Sequence, residues 1–388
     1  MYYKFDSRLI IQKPGGNKYY FHVVSATTDR IHPFSIPVAN IEVIANSGKL
    51  DYISTLRFDD IVRFQVSVRY SPDEKIVWQD LFEGRVLTIQ AQYGKGTTAT
   101  IICSGHEAET AYTIISEAKV YATATEAATI LHYLADKYLS RIQLSIPSTT
   151  TGISVPYSTK TDQKYMKDVF LDFEKLSGYG WAFAARPVYS QNGNLSSVPI
   201  EFKPFSTVPT QKYKVIQGTP RFLSANFSSD GQNVYTKIIE YGKTPEPIAP
   251  ATVGVQYKGT AVDSQAVSNY GTRALVETDT GLESNALCAA FAQFYLPKIK
   301  SPRVAGTVTL EGTAQAGIGD LATTKIPMID IYGEKIDSNY PVLRVHQNIS
   351  FDSFETTLTL GETVEKGVED YLVEFARKNR LTLSNFIT

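Results

Sequence analysis

Five histidines and two cysteines are the side chains of this chain best suited to binding a metal ion or acting as nucleophiles. They are His22, His32, His106, His132, His346, Cys103 and Cys288. Their spacing matches none of the close His and Cys patterns that hold a structural zinc ion. The two cysteines fall in apolar stretches, which predicts buried free thiols, and their number excludes a disulfide framework. We therefore expect no metal site and no cofactor.

Two short motifs could carry hydrolytic or phosphate chemistry, and both are better explained as structure. Ser104 and His106 alternate in a strand-like stretch and so share a face, but no G-x-S-x-G turn accompanies them. The stretch YGKGTT at 93–98 lacks the frame of a phosphate-binding loop and lies where a hairpin turn belongs. We expect no catalytic residue and a protein that is not an enzyme.

Carboxylates are numerous, so a glycosidase-like pair has to be considered. Asp168 and Asp172 stand four residues apart in a predicted helix, which is typical of a solvated helix face. Tyr179 and Trp181 lie nearby, where aromatic faces could stack on sugar rings. A carbohydrate-binding or carbohydrate-processing β protein is therefore the alternative function.

The charge balance argues against broad binding to nucleic acid, because 38 basic residues meet 39 acidic ones. Arg63, Arg69 and Arg85 lie on the polar faces of predicted strands and are the candidates to line a channel near a polyanion. The candidates for contacts between subunits are amphipathic aromatic residues, which suit such interfaces. They are Tyr19, Tyr20, Tyr52 and Tyr70.

Targeting signals are not predicted. The start, MYYKFDSRLII, places charges where a signal peptide needs an unbroken apolar run. No stretch approaches the ~18 apolar residues of a membrane-spanning helix, so we expect no membrane insertion.

Alternating polar and apolar residues predict that β units flank an insert. Residues 1–115 read as a closed or nearly closed antiparallel unit, with a hairpin around PGGNK and the period-two run RFQVSVRY. Residues 116–215 read as an α/β insert, whose first helix begins at a capping box of Thr123 and Glu126. Residues 216–388 are β again, with strands at about 216–243 and 303–362. An inserted segment at 244–302 contains a helix over 282–296, and a charged helix closes the chain at 363–380.

The two β regions share a pattern of hydrophobic phase and turns over about 45 residues. Asp60 begins a strand in the first and Asp320 in the second. The further matched positions are Arg85-Val86 with Arg344-Val345, and Gly105 with Gly361. This repeat predicts two copies of one β unit, an arrangement typical of scaffolds and assemblies.

Several stretches together resemble the central hub proteins of contractile-tailed phage baseplates, the late control protein D family that includes the hub of phage Mu. The stretches are FEGRV, CSGHEAE, TATEAATILHYLADKY, YMKDVFLDFEKLSGYGWAFAA, SSDGQNVYTKIIEYG, YGTR, GDLATTKIP and YPVLRVHQNISFDSFETTLTLGE. They span about residues 60–362, and none carries a catalytic signature.

The resemblance implies a mainly β protein with two tube-type antiparallel β-barrel domains, an α/β insertion and peripheral helices. It implies a homotrimeric ring of pseudo-sixfold symmetry that joins the sixfold tail tube to the threefold spike around a channel for genome passage. The implied partners are the tail tube protein, the spike protein, other baseplate proteins and the tape-measure protein, with DNA only in transit. The implied location is the virion, after assembly in the host cytoplasm. A bacterial injection machine in place of a phage is left open.

Overall fold

A computed structural model describes the chain at residues 4–44, 53–69, 71–92, 98–146, 151–159, 164–177, 180–207, 214–216, 221–230, 234–245, 254–278, 282, 284–300, 303–312, 317–325 and 339–361. The protein is mainly β, with a large antiparallel sheet and minor helices. The predicted helix at 363–380, Tyr52 and Tyr70 lie outside the described residues.

Six strands, which we call the first β unit, pair with one another in a closed cycle. They are β1 (Lys4–Gln12), β2 (Lys18–Ile31), β3 (Val38–Ile44), β4 (Ile61–Arg69), β5 (Gln79–Gln92) and β6 (Thr98–Gly105). Their order is β1-β4-β5-β6-β3-β2, and β2 returns to pair with β1. Alternate apolar residues of strands such as β3 and β6 point to one face, and these faces fill a common core.

The insert follows the first β unit and combines short strands with helices. A 3-10 turn (His106–Ala108) leads into α1 (Glu109–Tyr112), β7 (Ile114–Ile115), β8 (Val120–Glu126), α2 (Ala127–Tyr138), β9 (Gln143–Ser145), β10 (Ser154–Ser158), β11 (Lys164–Tyr165), α3 (Met166–Leu176), β12 (Trp181–Ala185), β13 (Val188–Tyr189), β14 (Leu195–Ser197) and β15 (Pro199–Pro204). Helices α2 and α3 share one apolar core with β12 and β15.

The predicted capping box is wrong. Thr123 and Glu126 lie in β8, and α2 begins at Ala127. The Glu126 carboxylate accepts hydrogen bonds from the backbone amide and hydroxyl of Thr151 instead of capping the helix. A loop that is remote in sequence thus supplies its partners.

The rest of the described chain adds nine strands and two helices. They are β16 (Lys214–Ile216), β17 (Phe222–Asp230), β18 (Lys237–Tyr241), β19 (Lys258–Val262), α4 (Ser264–Tyr270), β20 (Ala274–Thr278), α5 (Asn285–Ile299), β21 (Arg303–Glu311), β22 (Leu321–Lys325), β23 (Asn339–Ile349) and β24 (Phe354–Gly361). Strands β18, β19 and β20 form a separate sheet packed on α5. The strands predicted at about 216–243 therefore belong to two sheets, because β18 does not join its sequence neighbour β17.

The remaining six strands, the second β unit, repeat the strand order of the first. Their order in the sheet is β16-β22-β23-β24-β21-β17. Numbered from one to six along the chain within each unit, these strands have the same order as β1-β4-β5-β6-β3-β2. One difference lies at β16, which runs parallel to β22 whereas β1 runs antiparallel to β4. A pairing of β16 with β17 is not present among the described residues, so the cycle that closes the first unit is not seen in the second.

Two irregularities recur at matching places in the two units, while a third, the register shift at Phe64/Gln65 between β4 and β5, belongs to the first unit alone among the described residues. Each unit has one register shift between its second and third strands and another between its fifth and sixth. The shifts lie at Val23/Ser25, Phe222/Ser224, Val86/Thr88 and Val342/Arg344. A β-bulge is a specific local feature, so its recurrence at matching places indicates a true structural repeat.

One turn is also built twice, around the two matched aspartates. The Asp60 carboxylate accepts from the backbone amide of Arg57 at 2.8 Å, and that of Asp320 accepts from Gly317 at 2.9 Å. The Asp60 carbonyl accepts from the amide of Val86 at 2.9 Å, and the Asp320 carbonyl accepts from Val342 at 2.8 Å. The match of Asp60 with Asp320 is confirmed.

The other matched pairs of the repeat need correction. Val86 corresponds to Val342, not to Val345, because both accept and donate the same turn hydrogen bonds. Gly361 corresponds to Ser104, not to Gly105, since Val86 pairs with Cys103 and Val342 with Leu360. The recurring Arg-Val dipeptide is thus a coincidence of sequence.

Gly84 tests the close packing of the first β unit. A Cβ atom placed on it lies 2.1 Å from the Ser104 carbonyl oxygen, which is backbone and cannot swing aside. We expect Gly84→Ala to destabilise the protein by about 1–3 kcal/mol or more, measured as a lower thermal unfolding midpoint. Gly15→Ala is the matched control, because a Cβ atom there meets nothing within 4 Å. Equal midpoints for the two variants contradict this packing.

Candidate functional site

The two β units are joined by a strand pairing that we call the internal junction. Residues Ala26–Ile31 of β2 pair antiparallel with Arg344–Ile349 of β23. Inside it, the Thr28 hydroxyl donates to the Gln347 side-chain oxygen at 3.0 Å, and both residues are buried. The junction therefore makes one 12-stranded sheet out of two β units.

Charge and apolar packing reinforce the internal junction. The guanidinium of Arg344 donates to both carboxylate oxygens of Asp29, at 2.9 and 2.6 Å. Ile349 and Phe354 of the second unit lie in the apolar core of the first, and the rings of Phe354 and Phe5 are 6.2 Å apart. Because an exposed ion pair contributes at most about 1 kcal/mol, the buried apolar contacts stabilise the junction more than the ion pair does.

A buried carboxylate holds the insert to the first β unit. Glu174 of α3 accepts hydrogen bonds from the backbone amides of Phe34 at 2.5 Å and Phe183 at 2.9 Å. Its carboxylate also lies 3.3 Å from Nδ1 of His32. Since buried amides need partners, this one side chain joins the segment after β2 to strand β12 of the insert.

A second buried carboxylate lies where the insert and both β units meet. Glu107 accepts from the backbone amide of Ala185 at 2.9 Å, and burial raises the pKa of its carboxyl group. The half-buried Arg30 lies beside it and donates to the Leu81 carbonyl at 2.8 Å. A small cavity at this place is lined by both side chains and by Gly317 and Ile318 of the second unit.

Glu83 belongs to a neighbouring charged cluster of the first β unit and the insert. Arg63 donates to Asp80 at 2.7 Å, lies 3.8 Å from Glu83, and stacks 3.7 Å from the ring centre of Tyr189. Burial, followed by the nearby Asp80 charge, raises the pKa of Glu83 to about 7. This carboxyl group therefore changes charge near neutral pH.

The three arginines predicted to line a channel are all paired within the chain. Arg63 pairs with Asp80, as above; Arg69 lies 3.1 Å from Asp6, and Arg85 lies 3.3 Å from Asp59. They lie on β4 and β5 of the first unit. Whether they face a lumen stays a prediction.

Of the four tyrosines predicted at subunit contacts, Tyr19 and Tyr20 lie within the described residues. Tyr19 packs partly against the first apolar core, and Tyr20 is 52% exposed. Tyr20 is therefore the described member of the set that is most open to a partner. Its interface role also stays a prediction.

The residues considered for chemistry have structural surroundings. His106 is buried, and burial together with Arg85 lowers its pKa to about 4, so it is neutral at pH 7. Asp172 accepts from Lys164 at 2.6 Å and Asp168 from the Tyr165 amide at 3.3 Å. Cys103 and Cys288 are buried free thiols, as predicted.

The surroundings of the aromatic residues give no open sugar platform. The half-buried Trp181 ring packs against the core of the insert, 4.9 Å from the ring of Phe202, and Tyr179 lies outside the described residues. Within the part of the chain that the structure describes, no three His, Cys, Asp or Glu side chains gather into a set able to hold a metal ion. None of the helices in the described ranges combines the length and apolar character needed to span a bilayer.

The buried acids of the joints are not evident from sequence reasoning. Glu107 is one of many carboxylates in the sequence, and Glu174 falls on the apolar side of a predicted helix. The sequence offers one signal for such a residue, namely an acid at a helix position that faces the apolar core. A glutamate is rarely buried there unless other groups pair with it.

No protein-family model matches the chain, and no curated protein sequence matches it. Solved structures match nearly all of it. The 43 kDa tail protein of prophage MuSo2 from Shewanella oneidensis matches with a TM-score of 0.59 at 12% identity, over 92% of this chain and 98% of that one. Prophage tail protein gp18 from Listeria monocytogenes matches with a TM-score of 0.55 at 15% identity, over 96% of this chain and 99% of that one.

A chain of the lidded Francisella PdpA–VgrG complex matches with a TM-score of 0.55 at 10% identity, over 94% of this chain and 54% of that one. Identities this low establish the fold alone. The chain therefore has the fold of phage tail proteins, which confirms the resemblance at the level of structure.

The Glu174 joint predicts a large effect of one substitution. Glu174→Ala leaves the buried Phe183 amide and the half-buried Phe34 amide without their acceptor, and loss of the acceptor of a buried donor costs about 1–3 kcal/mol. We expect a markedly lower urea midpoint, followed by the fluorescence of Trp181 in the insert. The neighbouring exposed Lys175→Ala is the control and should change stability by less than about 0.5 kcal/mol. A Glu174→Ala midpoint equal to that of the control refutes the joint.

Glu83 predicts a pH-dependent stability. Its folded pKa of about 7 exceeds the ordinary value of 4.5, so the folded state holds the proton more tightly. The resulting stability is fully present below pH 4.5 and is lost as the pH rises to about 7. Relative to the wild type, Glu83→Gln should therefore gain up to about 3 kcal/mol between these limits, measured by denaturant unfolding at each pH. A difference that stays constant with pH argues against a raised pKa.

Proposed function

We propose that this protein is a structural, non-enzymatic hub of a contractile phage tail baseplate. Three copies form a ring of pseudo-sixfold symmetry that joins the sixfold tail tube to the threefold spike and surrounds the channel for genome passage. The observation that carries this proposal is the repeated β unit, with its strand order and bulges present twice in one chain.

The repeat supports a ring by a symmetry argument. A chain with two equivalent units, closed about a threefold axis, presents six similar units around that axis. Such an object can contact a sixfold partner on one face and a threefold partner on the other. A single β unit per chain gives no such adaptation from three chains.

The domains follow from the same proposal. Residues 1–115 form the first tube-type β barrel, for which the closed cycle of β1 to β6 is support. Residues 116–215 form the α/β insert. The second barrel takes the strands of the second β unit, from β16 at Lys214 onward, with 244–302 as an inserted segment. The α/β insert and the helix around 282–296 decorate the outside.

The proposed partners are the tail tube protein, the spike protein, other baseplate proteins and the tape-measure protein, in the virion. A phage tail is favoured because this chain covers 98% and 99% of the two prophage tail proteins. We keep Arg63, Arg69 and Arg85 as lumen-facing candidates. Their acidic partners suit a channel that lets DNA pass without holding it.

The carbohydrate alternative is not retained. Its aromatic platform depended on Trp181, whose half-buried ring is already stacked against Phe202 at the edge of the insert core. Its carboxylates, Asp168 and Asp172, are engaged by a backbone amide and by Lys164.

Light scattering tests the ring. We expect the purified chain of 43.0 kDa to elute at micromolar concentration with three times that mass. The ring is expected to persist on moderate dilution, because it covers sheet edges that are otherwise exposed. A mass of one chain at this concentration contradicts the proposal.

A further inference from the structure

Two stretches of strand edge have no partner strand among the described residues. One is Asn226–Asp230 of β17, on the side away from β21, and we call it the β17 edge. The other is Thr88–Gln92 of β5, on the side away from β6, beyond the point where β4 stops pairing at Arg85. We call it the β5 edge. An unpaired edge exposes backbone donors and acceptors and is a template for another strand.

The internal junction shows what each edge binds when it is occupied. Strand β17 corresponds to β2, because both follow the same bulge: Ser224 matches Ser25, and Asn226 matches Thr27. Strand β5 corresponds to β23 by their shared bulge, so that Thr88 matches Arg344. The internal junction is therefore a contact between the β2-type edge of one unit and the β23-type edge of the other. The two unpaired edges are the remaining members of these two types.

We propose that the β17 edge of one copy pairs antiparallel with the β5 edge of a second copy of this chain, a contact we call the external junction. Its register copies that of the internal junction, which aligns Asp29 with His346 and Ile31 with Arg344. The corresponding pairs are Asn226 with Gln92, Ser228 with Gln90, and Asp230 with Thr88. This inference rests on the proposed ring and specifies how its neighbouring copies meet.

Exposed leucines mark the two free edges. Leu87 is the bulged residue before the β5 edge and is 45% exposed, and Leu223 is the bulged residue before the β17 edge and is 47% exposed. Their counterparts at the internal junction, Leu343 and Val24, are both partly buried. An occupied external junction would bury the two leucines in the same way, and that burial would favour association.

The charges of the two junctions differ. The internal junction has Arg344 paired with Asp29, whereas the corresponding external positions are Thr88 and Ser228. The buried pair Thr28 and Gln347 is replaced by Phe227 and Ala91. Backbone pairing and apolar contact would therefore hold copies together, and their association should change little between low and moderate salt.

Cysteine cross-linking tests the register directly. Ser228→Cys combined with Gln90→Cys places two thiols directly opposite each other, at a Cα separation of about 4.5–5.5 Å that a disulfide can span. The natural thiols Cys103 and Cys288 are buried and will not compete. The matched control is Asn226→Cys with Gln90→Cys, a diagonal pair about 7–8 Å apart. Both variants alter exposed side chains, so both should fold.

The expected result is a covalent trimer on a non-reducing gel after mild oxidation of the Ser228→Cys/Gln90→Cys variant. The diagonal control should give at least tenfold less of it. A product the size of one chain, or equal yields from the two variants, overturns the external junction.

The mass of the wild-type protein distinguishes a failure of the external junction from a failure of the proposed ring. A wild-type trimer without cross-linking of the opposed pair removes the external junction and leaves the ring standing. A wild-type monomer removes both.

Discussion

The pairing of six residues of β2 with six of β23 is the contact on which the architecture depends. It joins strands from the two ends of the described chain, and it makes two six-stranded units into one sheet. Backbone hydrogen bonds set its register, while Ile349 and Phe354 anchor the second unit in the core of the first. Because an unpaired strand edge is a template for another strand, the external junction proposed above applies the same kind of pairing between neighbouring chains.

The insert is held by a different kind of contact. Glu174 and Glu107 accept hydrogen bonds from backbone amides of the neighbouring elements, so each buried carboxyl group holds two elements together. Such acids resemble catalytic groups by burial and by a raised pKa, as at Glu83 and Glu107. Their partners distinguish them, since these carboxylates are directed at backbone and at paired arginines. The described part of the molecule thus uses these acids to join its elements.

Much of the fold could be predicted from sequence, because alternation in strands such as β4 and β24 is local. The hairpin of β1 and β2 and the helix α3 were predicted for the same reason. The sequence predicts the repeat but aligns its two copies incorrectly. It matches Arg85-Val86 with Arg344-Val345, whereas the turn hydrogen bonds show that Val342 is the equivalent of Val86. The start of α2 could not be predicted, because the contact of Glu126 with Thr151 forms only in the folded chain. The same holds for the contacts of Arg63 with Asp80 and Tyr189.

Electron microscopy of the purified particle, viewed along its axis, tests the central claim most directly. The claim is that duplicated β units from three chains surround a common opening. It predicts a torus with a central hole, whose averaged end views show strong sixfold character at low resolution and threefold symmetry once the insert is resolved. A compact particle without a hole, or a ring whose symmetry is not a multiple of three, contradicts it.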